Sequence, residues 1–365
     1  MRRVAPHLEV VLAGRSMDAL AAVARASAIV SFDETPSLRV AADADLDDEL
    51  DGAGVVLIQA RYGGYEARLH DESFPLRFDI PGDEGLGPGG LASAWRSWPP
   101  LHGLLTRISK FAPEALVLLM TAPLGILVRL ASQEFGELRV AGICELPWVT
   151  LRDACEAEGI DARQTRFGYA GINHIGWLFG VTHGEHNLPT MPLKYLRLHT
   201  EQRAVVDEQV ASAPRAQQLM QLRTLALKTY GWGEREQIVE VLGQRAAPWY
   251  SDAVAPFIAG MIEGDASIPF FLSTHNDGYL PDVAPDDVIE IPHRIAGGRL
   301  LRQASAPAPK EIVETLLRFI AYERSAAEAV RIRSRQDVAA SLAIHPWVGE
   351  SASLPLLCEC ICGNT

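Results

Sequence analysis

The chain has no uninterrupted apolar run near the roughly 18 residues that a membrane-spanning helix requires. Its longest runs, such as Ala115 to Met120, are of strand length. The opening residues, Met1-Arg2-Arg3 followed by Pro6 and His7, include no apolar segment of signal-peptide length. A cytoplasmic protein with no membrane partner is expected. Positive charge is in deficit, with a formal net charge of -13, which argues against the cationic face that nucleic-acid binding needs. Cysteine is scarce and odd in number, five in all, so no disulfide framework is expected. Cys358, Cys360 and Cys362 alternate near the end. They could form a metal clasp, but no histidine or second cysteine pair sits beside them, and a disordered tail with reactive thiols is the favoured reading. Internal repeats are absent, and Ala304 to Pro309 is a short connector.

A dinucleotide-binding domain opens with a strand, a tight glycine turn and a helix, and the glycines let the backbone approach a pyrophosphate at the helix N-terminus. No G-x-G-x-x-G precedes Glu9, and the eight residues before it are too few for strand, turn and helix. The chain is therefore expected to begin at the second strand of such a domain, truncated at its N-terminus.

What is present alternates strand-like and helical segments. Glu9 to Ala13, Val55 to Ala60, Leu116 to Thr121 and Arg139 to Leu146 are short, mostly apolar runs, as expected of strands buried on both faces of a parallel sheet. Met17 to Ala26 reads as a helix, Asp79 to Gly90 as a glycine-rich loop, and Leu91 to Phe111 as a helix despite Pro99-Pro100. The pattern predicts an α/β fold with a doubly wound, Rossmann-like parallel sheet. Further on, Lys194 to Tyr230 and Glu311 to Val330 read as long helices, and Ile268 to Leu272 and Val288 to Ile291 as strands of a second sheet. The expected organisation is a dinucleotide-binding domain over 1–147, incomplete at its N-terminus, an α+β substrate, metal and oligomerisation domain over 148–350, and a tail over 351–365.

Two segments stand out for chemistry: Gly142-Ile143-Cys144-Glu145-Leu146-Pro147 and Gly171-Ile172-Asn173-His174-Ile175-Gly176-Trp177. Cys144 ends a predicted parallel strand, where open α/β sheets place their ligands. A thiolate and an imidazole suit a borderline divalent metal. By spacing alone the pair is a weak signal, and a buried structural thiol with a satisfied core histidine is the favoured reading. Arg61 also ends a predicted strand, where a guanidinium can grip a sugar hydroxyl or phosphate bidentately, or form a surface salt bridge. Glu84 in the glycine-rich loop could meet sugar hydroxyls or water.

These segments resemble the paired motifs of family-4 glycoside hydrolases of the phospho-glucosidase type, roughly G-x-C-N-x-P and G-x-N-H-x-x-W. Other stretches are similar in the same order: Ile58 to Arg68 (IQARYGGYEAR), Gly82 to Gly90 (GDEGLGPGG), Arg245 to Val254 (RAAPWYSDAV), Ser273 to Gly278 (STHNDG), Ile289 to Pro292 (IEIP) and Ile344-His345-Pro346. The likeness runs from Glu9 to Val348. It implies a lactate/malate dehydrogenase-like superfold and a bound nicotinamide, NAD or NADP, that takes hydride from C3 of the sugar. A tyrosine then removes the acidified C2 proton, the glycosidic oxygen leaves by elimination, water adds, and the hydride returns. A divalent metal, usually manganese, acts as the Lewis acid. By position the resemblance implies Cys144 and His174 as metal ligands and Tyr250 as the base. An unperturbed tyrosine has a pKa near 10, so the metal or a cation such as Arg245 would have to favour the phenolate. Arg61, Glu84, Glu145, Asn173, Arg245 and His275 are the expected substrate-binding residues, and Arg15 and Thr121 the expected cofactor-binding residues. A homodimer or homotetramer is implied, with the long helices of the second half as contacts.

The sequence departs from the family pattern at several places. Leu12-Ala13-Gly14-Arg15 places an arginine where an acid usually holds the ribose, and an arginine there can accept the 2′-phosphate of NADP. Thr121-Ala122-Pro123-Leu124 lacks the family's asparagine, Glu145 replaces another, and His275 stands where an arginine would hold a 6-phosphate. Histidine is a weaker, pH-dependent phosphate partner. The substrate expected is a 6-phospho-β-glucoside or a related small glycoside. The alternatives are an inactive relative that binds a sugar or a partner, and an NAD(P)-dependent hydroxy-acid dehydrogenase.

Overall fold

The computed structural model describes residues 8–31, 37–245, 247–304, 306–349 and 353–363. The opening residues 1–7 and the expected boundary at 350/351 lie outside the described residues. Strand β1 (Glu9–Gly14) pairs in parallel with β2 (Ser37–Ala42), and the helix Met17–Val30 connects them. Ser16 caps that helix, its hydroxyl accepting from the Ala19 amide. β3 (Val55–Ile58), β4 (Leu116–Leu119) and β5 (Arg139–Cys144) form a second parallel run. Alternation along β4 sends Val117 and Leu119 into one core cluster, Leu116 and Leu118 into another. A strand apolar on both faces is stable only between two covering layers. The β1–β2 pair is not hydrogen-bonded to this run. It is fastened from its helix, where Arg25 donates to the carbonyls of Tyr230 and Gly233 at 2.9 and 3.1 Å.

Beyond β5 the chain builds an antiparallel sheet from β6 (Arg166–Ile172), β7 (Ile175–His183), β8 (His186–Leu188) and β9 (Met191–Pro192). It then returns to the first sheet with β10 (Phe270–His275), β11 (Val288–Ala296) and β12 (Arg299–Arg302). The strand order is β12-β11-β10-β5-β4-β3, with β10 antiparallel to β5 and Phe271 opposite Cys144. The separate second sheet expected from the sequence is therefore not formed. Phe271 packs with Cys144 and Tyr169 on one face, and Phe270 and Leu272 with Ile143 and Phe257 on the other. So apolar a strand belongs inside a sheet, and this one, antiparallel to β5, extends the first sheet with residues far beyond 147.

Three helical expectations are also revised. The helix expected from Leu91 begins at Gly87, inside the glycine-rich stretch, and runs through Pro99-Pro100 to Phe111. Its first turn passes so close to the Asp71 and Asp83 carbonyls that a side chain on Gly89 would collide with both. The expected single helix over 194–230 is broken into a 3-10 turn Lys194–Leu196 and the helices Arg197–Thr200, Gln202–Ala211 and Arg215–Trp232. Pro214 stands at the last break, and its ring bars continuation of the preceding helix. The expected disordered tail is instead a helix, Leu354–Cys362, that buries Leu357, Ile361 and Cys362. Its apolar residues recur at helical spacing, which the alternating cysteines obscure. All five cysteines are free. Among the described residues no helix is long and apolar enough to cross a membrane.

Candidate active site

Cys144 is the last residue of β5, and Glu145 leads into the helix Leu146–Ala157. Arg15, Arg61 and Thr121 lie just beyond β1, β3 and β4. Each stands at the carboxyl end of a parallel strand, the edge where open α/β sheets take ligands.

His174 arrives from the antiparallel sheet. β6 and β7 are joined by the turn Asn173-His174, with His174 in the left-handed region at φ 67°. The flanking Gly171 and Gly176 are cross-strand partners. A methyl on Gly171 would lie 2.5 Å from the Tyr169 hydroxyl oxygen, and one on Gly176 would also strike it. The bare glycines let Tyr169 pass over them and donate to Glu290 Oε2 at 2.6 Å. Asn173 donates to the other oxygen, Oε1, at 3.3 Å. The Glu290 carboxyl is pushed up to about 8 by burial, against the pull of these two bonds.

Burial likewise pushes the Cys144 thiol well up, and the neighbouring Glu290 and Glu145 add to the effect. Ionising that sulfur needs a nearby cation. The His174 imidazole is pulled down to about 4 by burial and then by Lys194, so it is neutral at physiological pH, the form that ligates metals. Its Nδ1 is buried without a hydrogen-bond partner among the described residues. Its ring stacks on Tyr195, with centroids 4.4 Å apart and planes 6° from parallel. The Tyr195 phenol lies in the field of Asp83, Cys144, Arg68 and Glu145, and so joins this half of the site to the next.

The second half is cationic. Glu84 accepts from Arg61 through one carboxylate oxygen and pairs with Arg68 through the other at 2.5 Å. Arg68 also holds Glu72 at 2.6 Å. Arg61 packs over the Tyr65 ring, and Arg245 donates to the Tyr65 hydroxyl at 3.3 Å. Burial first, then Arg68, pulls the Arg61 guanidinium down to about 10. Three guanidinium groups, Arg61, Arg68 and Arg245, thus gather around two carboxylates, Glu84 and Glu72. Tyr250 lies in a single π-helical turn, Trp249–Val254, and donates to Gln59 Oε1; such turns are frequent at functional sites. Arg245 favours the Tyr250 phenolate as expected, but burial outweighs it and the phenol is raised.

The remaining expected residues sit apart. Thr121 is buried, and its hydroxyl donates to the Ala60 carbonyl at 3.1 Å, which commits it to joining β4 to β3. His275 closes β10, its carbonyl accepting from Arg302 at 3.1 Å. Among the described residues no hydrogen bond or ion pair ties its imidazole to the arginine cluster. Arg15 is exposed and has no hydrogen bond or ion pair among the described residues. Its charge opposes the rise that burial imposes on the Tyr62 phenol, just beyond β3. Arg68 and Glu290 were inside motif stretches but unmarked by spacing. Gln59 and Asp83 also lay inside such stretches without standing out, and Tyr195 had no sequence signal, because only packing brings it to the site.

The donor set fits a borderline divalent cation: an unpartnered neutral imidazole, and a thiol that ionises only beside positive charge. Among the described residues no three His, Cys, Asp or Glu side chains converge as a metal-holding group. Such a cation would take Cys144 and His174 from the protein and its other ligands from water or a sugar.

A family model described as Family 4 glycosyl hydrolase matches residues 6–158, and one for the Family 4 glycosyl hydrolase C-terminal domain matches 188–348. The chain is 24% identical over 333 residues to 6-phospho-beta-glucosidase BglT of Thermotoga maritima, a match covering 82% of this chain and 79% of that one. It is 31% identical over 156 residues to 6-phospho-alpha-glucosidase 1 of Lacticaseibacillus paracasei, covering 42% of this chain and 35% of the other, so about a third of that relative is spanned. The crystal structure of the Thermotoga maritima 6-phospho-beta glucosidase with manganese, NAD+ and glucose-6-phosphate superposes with a TM-score of 0.85 at 21% identity, covering 97% of this chain and 90% of that one. At that identity the superposition establishes the shared fold.

Proposed function

The chain belongs to family 4 of the glycosyl hydrolases, and from that premise we propose that it hydrolyses the O-glycosidic bond of a 6-phospho-glucoside or a related small glycoside. The observation that carries the reading is the stack of the buried His174 imidazole on Tyr195, whose phenol lies in the field of both Cys144 and Arg68. When bound, a nicotinamide accepts hydride from C3 of the sugar and a divalent metal supplies Lewis acidity at C2 and C3. Cys144 and His174 would hold the metal, with Tyr195 fixing the imidazole plane. Arg61, Arg68 and Arg245 bind and orient the anionic end of the sugar, a task for which the guanidinium fork is suited. They take the place of the family arginine replaced by His275. Tyr250 removes the C2 proton, and Gln59, accepting from its hydroxyl, holds the phenol oxygen in place. Asn173 and Glu290 keep the hairpin turn, and with it His174, in register.

The test is turnover of α- and β-linked nitrophenyl 6-phosphoglucosides with nicotinamide cofactor and manganese, each omitted in turn. Hydrolysis should require both, and deuterium at C2 should slow it. Turnover indifferent to either omission, or none from the complete mixture, would sink the proposal.

A further inference from the structure

Resting on the nicotinamide-dependent reading above, we infer that the cofactor this chain selects carries a 2′-phosphate, gripped by Arg15 and Ser16 at the end of β1. In a doubly wound fold the residue just past this strand decides the matter: a carboxylate there binds the ribose 2′-hydroxyl and repels a phosphate, while an arginine accepts the phosphate. Gly14 ends β1, Arg15 makes the bend, and Ser16 caps the helix Met17–Val30. The Arg15 guanidinium is exposed and unpaired among the described residues, whereas Arg61 and Arg68 of the neighbouring cluster are held by Glu84 and Glu72. Arg15 directly follows β1, at the carboxyl end of a parallel strand.

Ser16 Oγ accepts from the Ala19 amide at 3.3 Å, which leaves its hydroxyl proton free to donate. The helix it caps has 14 residues, and its first amides have no acceptor within the helix. The neighbouring acids do not take the carboxylate's place. Asp18 lies inside the first helical turn rather than at the strand end. Asp43 and Asp47, beyond β2, are engaged by Arg107 at 3.1 and 2.6 Å.

The experiment is calorimetric titration of the purified 365-residue chain with NADP and with NAD, together with competition by adenosine 2′-monophosphate and adenosine 5′-monophosphate. NADP should bind about tenfold more tightly or better, the worth of one charge-assisted hydrogen bond. The 2′-monophosphate should compete better than the 5′-monophosphate. Arg15→Glu should abolish the preference, and added salt should weaken NADP more than NAD. NAD binding as tightly as NADP, or a preference that survives Arg15→Glu, overturns this inference and leaves the proposed hydrolysis standing. Binding of neither cofactor overturns both.

Discussion

Replacing Gly171 by alanine tests the reasoning about the hairpin that carries His174. The added methyl would lie 2.5 Å from Tyr169 Oη and 2.8 Å from both Tyr169 Cζ and Gly176 Cα. The backbone contact cannot swing aside, and Tyr169 is fully buried, so its ring has no alternative place. Overpacking of this kind costs about 1–3 kcal/mol. If Tyr169 shifts, Glu290 loses its 2.6 Å donor, and a buried oxygen left unpaired costs about 1–3 kcal/mol more. The sum is about 2–6 kcal/mol, read as a lower urea midpoint at unchanged slope. In a Tyr169→Phe background the hydroxyl clash and the Glu290 bond are both already gone, so Gly171→Ala should cost about half as much, a coupling within the usual range for touching residues. A Gly171→Ala variant as stable as the parent, or equally costly in both backgrounds, would show that the glycine is not there to make way for Tyr169.

Other outcomes follow from the same geometry. Tyr195→Ala should weaken manganese binding about 10–100-fold, as loss of a residue orienting a ligand does, with free manganese followed by its paramagnetic resonance signal; Tyr195→Phe, which keeps the stack, should bind nearly as the parent does. Because Arg245 favours the Tyr250 phenolate, Arg245→Ala should displace the rising limb of the pH–rate profile to higher pH; a shift the other way would remove Tyr250 as the base. Glu323 has its carboxyl raised to about 8, chiefly by burial. The folded state therefore keeps a proton that the unfolded chain releases near its ordinary 4.5, so this contribution to stability is full below that pH and is lost as pH rises through 8. Glu323→Gln should flatten the dependence of unfolding free energy on pH across that window.

The parallel strands and long helices were legible because an apolar run or a helical period is a local property. So were the places of Cys144 at a strand end and of His174 in a glycine-flanked turn. The return of β10 to the first sheet was not legible, because an apolar run says that a strand is buried and not against which neighbour. The helical end of the chain was hidden by cysteines that drew attention to their chemistry rather than to Leu354, Leu357 and Ile361. Within the site, Arg68 and Glu290 sat in recognisable stretches, but nothing in their spacing separated them from solvated charges. Tyr195 illustrates the limit most clearly, since its stacking on His174 exists only once the 3-10 turn after β9 is laid against the β6–β7 hairpin.

The seat of Phe271 opposite Cys144 also bears on how the molecule assembles. β5 is made early in synthesis, yet its second neighbour, β10, emerges only after the whole antiparallel sheet and the helices that follow it. Closing so long a loop is entropically costly and comes late. Until then one edge of the strand carrying the candidate metal ligand stays unpaired, exposed to mispairing with another nascent chain. The thiol would reach its finished surroundings among the last events of folding, and metal supplied before that point would find only part of its site.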